Sequence, residues 1–65
     1  MKKQRIDIFY SNKSHQIQTF STDRECRIFL AKLDLTGVTN IFFLSEMMEN
    51  SDIYEIIDMI DINQI

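Results

Sequence analysis

Six carboxylates recur at every third position near the end of the chain: Glu46, Glu49, Asp52, Glu55, Asp58 and Asp61. Acids at a regular spacing invite two chemistries, a metal site or a paired acid and base. On a helix each third residue steps back by about 60°, so such acids spiral rather than stack on one face. No calcium-loop spacing accompanies them, and no glycine stands at its hinge position. His15 is the single histidine, and it follows Ser14 at the edge of a polar stretch. Metal ligation or proton transfer there needs a partner that the neighbouring residues do not supply, so His15 reads as a surface residue. Cys26 is the single cysteine and falls on an apolar helical stripe, where cysteine commonly packs as a small hydrophobe. A nucleophilic thiol wants a base or an electropositive, exposed setting. The expectation is therefore a protein that is not an enzyme, with no cofactor and no metal.

Charge is the stronger signal. The 65 residues carry a formal net charge of −3. All seven Lys and Arg lie in residues 1–32 with three acids, a net of +4; residues 33–65 hold seven acids and no Lys or Arg, a net of −7. Such a split bears on partners rather than on fold. The bland explanation is that the halves attract each other across one domain. Arg5, Lys13, Arg24 and Arg27 form a candidate basic patch, with Phe9, Tyr10 and Phe20 as aromatics. A nucleic-acid-binding regulator using this half is one alternative. An overall acidic chain with a single glycine lacks the usual RNA-binding loops and is a poor duplex binder. A DNA-mimic inhibitor using the acidic half is another alternative, and seven acids are few for it.

The elements that must position these residues follow from patterning. Hydrophobic residues make up 45% of the chain, enough for a core. The reading is one small domain over 1–65, marginal alone because short chains bury little of their surface. Neither IFLA (28–31) nor IFFL (41–44) approaches the roughly 20 apolar residues of a membrane span. The N-terminal residues lack a signal peptide's apolar run. A cytoplasmic protein with no membrane partner is expected. Residues 5–10 and 15–20 read as a hairpin around the polar SNKS, with Phe9 opposite Ile6 and Ile8. Residues 22–33 read as a helix opened by a capping box, Thr22 and Glu25, with Cys26, Phe29, Leu30 and Leu33 as its stripe. Gly37 suits either the helix end or a following turn. Residues 38–44 read as a central strand, Val38, Phe42 and Leu44 facing one way, Thr39, Ile41 and Phe43 the other.

The last segment, NSDIYEIIDMIDINQI, places Ile53, Ile56, Ile57 and Ile60 at helical spacing. That predicts a short turn at 46–49 and a helix at about 52–62, with the isoleucines inward. The fold class is then α+β: a β-β-α-β-α domain with a three-stranded antiparallel sheet of order 2-1-3 and two helices. Tyr54, Glu55, Asp58, Met59 and Ile62 would lie on the outer side of that helix. Tyr and Met with charged neighbours suit a protein interface, so these five form the candidate partner-binding site. The leading expectation is a small intracellular protein-binding module, an inhibitor or adaptor that modulates a partner. A composition rich in Ile, Lys, Asn and Phe suits a bacterial or phage gene of high A/T content. A homodimer using the second sheet face is a third alternative.

Overall fold

The computed structural model describes residues 2–62. The chain forms β1 (Gln4–Tyr10), β2 (His15–Phe20), α1 (Asp23–Lys32), β3 (Val38–Glu46) and β4 (Tyr54–Asp61). The four strands make one antiparallel sheet in the order β2-β1-β3-β4.

The β1–β2 hairpin closes through local polar chemistry. Lys13 takes a left-handed conformation, φ 70°. The Asn12 carboxamide oxygen accepts the Ser14 amide at 3.0 Å, and the Tyr10 amide donates to the Ser14 carbonyl at 3.0 Å. Asn in such a turn substitutes for a backbone partner. The helix starts where its cap dictates: Thr22 Oγ1 accepts the Glu25 amide at 3.2 Å. Asp23 and Glu25 occupy the first turn and Lys32 the last, both favoured by the helix dipole. After α1, Asp34 Oδ1 accepts the Thr36 amide at 2.9 Å and hydroxyl at 2.7 Å. Those two bonds hold the Asp34 carboxyl below its usual range. Gly37, at φ +77°, lies four residues past the helix C-cap Leu33, in the turn before β3 rather than at the helix end. Its carbonyl accepts the Ser11 amide at 2.9 Å and ties this turn to the hairpin loop.

One side of the sheet meets α1. Ile6, Ile8, Cys26, Val38 and Ile41 form the buried cluster. Tyr10, Phe20, Phe29, Leu30, Leu33, Phe43 and Ile62 pack around it. Burial pushes the Cys26 thiol pKa up, which keeps it an unreactive packing group. Val38 joins Ile41 in this cluster instead of pointing with Phe42. The cause is a shift in register between Phe9 and Tyr10, which sets Tyr10 opposite Val38. An irregularity of this kind breaks the two-residue period.

The largest correction concerns residues 52–62. Among the described residues the expected second helix is absent, and there are four strands and one helix, not three strands and two helices. Tyr54–Asp61 pairs along β3 from Glu46↔Tyr54 to Asn40↔Asp61. Isoleucine is stiff at χ1 and better suited to a pleated surface than to a helix, as is tyrosine. ENSD is part of a hairpin loop: Asn50 is left-handed at φ 61°, the Met47 amide donates to the Ile53 carbonyl at 2.9 Å, and Ser51 Oγ accepts the Ile53 amide. The helix-like spacing of the isoleucines does not survive pairing, and a bulge interrupts the run. Phe43 faces Asp58 and Leu44 faces Ile56, which leaves Ile57 without an opposite residue. The isoleucines therefore do not share an inward stripe. Ile53, Ile56 and Ile57 are 63%, 62% and 58% exposed, and only Ile60 of the four is half-buried.

Candidate functional site

Side chains alternate between the two faces of a sheet, so register places each candidate residue. Phe9 faces His15 on β2 and Asn40 on β3; Asp7 faces Ile17 and Phe42; Arg5 faces Thr19 and Leu44. On β4, Phe42 meets Met59 and Leu44 meets Ile56. These residues make the sheet face opposite α1, and no described element covers it. Phe9, Ile17, Ile56 and Met59 remain exposed there.

The face has internal order. Phe9 sits edge-on to Phe42, with ring centroids 5.4 Å apart and planes at 82°. It also stacks on the His15 ring at 5.7 Å. Arg5 forms a two-pronged pair with Asp7, Nε–Oδ1 2.7 Å and Nη2–Oδ2 2.9 Å. The Asp7 hydrogen bond raises the Arg5 pKa further, so the guanidinium stays charged. The same guanidinium lies 5.5 Å from the centre of the Tyr54 ring, within cation–π range. Asp7, Phe9, Phe42, Leu44 and Ile56 enclose a shallow depression of about 160 Å³. With Asp7 already neutralised by Arg5, this depression offers apolar contact to an incoming side chain rather than a charge.

The candidate partner-binding residues divide between sides. Tyr54 and Met59 lie on the uncovered face beside Ile56. Glu55 faces Ser45 and Asp58 faces Phe43, which puts both on the α1 side of β4. Ile62 packs against the buried cluster and does not join them. The candidate basic patch does not gather either. Arg5 is on the uncovered face, Lys13 is in the hairpin loop, and Arg24 and Arg27 are exposed on α1. Arg27 pairs with Asp23 at 2.7 Å, a surface i,i+4 contact of little energetic weight. The acidic ladder disperses as well: Glu49 and Asp52 lie in the loop, and Glu46 is buried at the end of β3. Among the described residues no group of three or more His, Cys, Asp or Glu is placed to hold a metal ion. Nor is any described helix long and apolar enough to cross a membrane.

Residues outside the expected partner-binding set carry most of the face. Phe42, Leu44 and Asp7 are at its centre, and Ile56 is at its rim. Phe9, set opposite Ile6 and Ile8, and the side of β3 that bears Phe42 and Leu44 were the signals of a second apolar face. The edge strand β4 is blunted rather than inviting. It carries the bulge at Ile57, and Asp58 Oδ1 accepts the Met59 amide at 2.8 Å. Bulges and charges on an edge discourage pairing with another strand. Contact through the face is thus favoured over contact through the β4 edge. No protein-family model matches the chain, and no curated protein and no solved structure matches it.

Proposed function

We propose that the chain is a small protein-binding module whose docking surface is the uncovered face of its sheet. The observation that carries this reading is the exposure of Phe9, Ile56 and Met59, at 37%, 62% and 49%, on a sheet face that no described element covers. A stable domain usually packs both sides of an apolar sheet. Here only one side is packed, and the other presents ordered aromatics around a shallow apolar depression. Removing about 300 Å² of apolar surface from water would contribute on the order of 7 kcal/mol before the costs of association. Such a module acts by occupying a surface of its partner, as an inhibitor or adaptor does.

The test is capture of partner protein by the immobilised chain from native extract, compared between two double variants. Ile56→Lys/Met59→Lys puts charge on the face and should lower capture at least tenfold, with an unchanged far-UV circular dichroism spectrum. Glu55→Lys/Asp58→Lys alters the other side of the same strand and should leave capture intact. Equal capture by wild type and the lysine face variant sinks the reading.

A further inference from the structure

Resting on that reading, we propose that the partner presents an extended acidic segment, which adds to the open edge of β2 as a fifth strand and continues the uncovered face. β2 ends the strand order, and no described strand lies beyond it. Its edge lacks the defences of β4. His15–Phe20 contains no Lys, Arg, Asp, Glu or Pro, and its pairing with β1 has no shift in register. Charges, prolines and bulges are the usual means of blunting an edge.

The hairpin fixes which groups this edge offers. The Tyr10 amide donates to the Ser14 carbonyl, so Tyr10 and Ser14 form a bonded pair. Opposed residues of antiparallel strands alternate between bonded and non-bonded pairs. Gln16, Gln18 and Phe20 are then bonded to Ile8, Ile6 and Gln4. His15, Ile17 and Thr19 turn their backbone N–H and C=O groups outward. Their side chains share the uncovered face with Phe9, Asp7 and Arg5. A strand bonded to these three residues sets its alternate side chains on that same face. The one opposite Ile17 extends the row Ile17–Asp7–Phe42–Met59. Ile17 is exposed and gives it an apolar neighbour. In strand addition the main chain supplies affinity and alternate side chains supply specificity.

Charge selects the occupant. β2 is bordered by β1, α1 and the hairpin loop, all within residues 1–32, where seven Lys and Arg meet three acids. Two of those acids, Asp7 and Asp23, are paired with Arg5 and Arg27. Exposed lysines stand toward both ends of the strand: Lys13 in the loop before His15, and Lys2 and Lys3 beyond the Gln4–Phe20 pair. Antiparallel pairing of two β2 edges would set Lys13 of each copy toward the Lys2 and Lys3 end of the other. A segment with carboxylates on either side of about six residues of alternating apolar side chains instead meets opposite charge at each end.

The probe is a synthetic peptide in which alternating Val and Thr are flanked by paired Glu; a second peptide carries paired Lys in their place. Amide hydrogen exchange of the full chain is followed by NMR. Saturating acidic peptide should slow exchange at His15, Ile17 and Thr19 about tenfold and leave Gln16 and Gln18 unchanged. The Lys-flanked peptide should bind about tenfold more weakly at low salt. A chain synthesised with N-methyl Ile17 keeps the side chain, lacks one outward donor, and should lose the peptide with an unchanged circular dichroism spectrum. Thr19→Pro removes another outward donor, at a position where an edge strand tolerates proline, and should do the same. No slowing at these three amides, or equal binding of the two peptides, overturns the proposal. Slowing that grows with chain concentration and needs no peptide puts a second copy on the edge and overturns it too. Either failure leaves the docking reading standing as long as Ile56→Lys/Met59→Lys still loses capture; wild-type capture by that variant overturns the docking reading itself.

Discussion

Ile8→Ala is expected to leave most molecules unfolded at room temperature. Ile8 is fully buried at 0% exposure, beside Ile6 at 0%, under the helix. Truncating a buried isoleucine to alanine costs about 2–5 kcal/mol, because the lost transfer energy is joined by the cavity left behind. A domain of this size holds only about 3–5 kcal/mol in total. No disulfide supports it, since Cys26 is the sole cysteine. Circular dichroism with urea titration checks the result. Ile57→Ala is the matched comparison. Ile57 is 58% exposed, so its truncation should shift stability by about 0.5 kcal/mol or less. Had residues 52–62 been a helix with Ile57 inward, the two substitutions would cost similar amounts. Comparable losses would therefore contradict the four-stranded fold.

Glu46→Ala carries the second large effect, about 2 kcal/mol of destabilisation. Glu46 is 1% exposed at the end of β3. Its carboxylate accepts the Lys3 amide, while its own amide donates to the Lys3 carbonyl at 3.0 Å. The residue thus fastens the entry to β1 onto the end of β3 from both directions. Hydrogen bonds to a charged group contribute about 1.5–3 kcal/mol, and the substitution removes the acceptor of the part-buried Lys3 amide. Glu46→Gln keeps an acceptor at the same reach and should recover part of the loss. The same urea titration measures it. Equal stability of wild type and Glu46→Ala would show that the contact does not hold the chain.

Glu46 also shows where sequence reading fell short. As one of six acids at intervals of three it looked like any other. Only the folded chain separates this buried carboxylate from Asp58, which binds a backbone amide at the edge. The first helix was legible because its signals agree: a capping box at Thr22 and Glu25, then an apolar stripe that packs as its spacing implies. The hairpin and β3 were legible from alternation and turn residues. The last segment was not, because its isoleucines stand at helical spacing although the strand spreads them: Ile53 precedes β4, Ile56 faces Leu44, Ile57 is in the bulge and Ile60 faces Ile41 on the other side of the sheet. The β preference of those residues was the signal that went unweighed. The site shares the fate of the strand. Tyr54 and Met59, expected on the outer side of a helix, both lie on the uncovered face of the sheet. Glu55 and Asp58 fell on the other side because strands alternate and helices do not.

Docking through the uncovered face is tested most directly by photo-cross-linking from its rim. A photoreactive residue is placed at Ile56 in the full chain, with Ile28 on the outer side of α1 substituted in the same way as the control. Both chains are then irradiated in native extract. Cross-links to protein from position 56, to a second copy or to another chain, with few from position 28, are the expected result. Cross-links from position 28 and none from position 56 would contradict it.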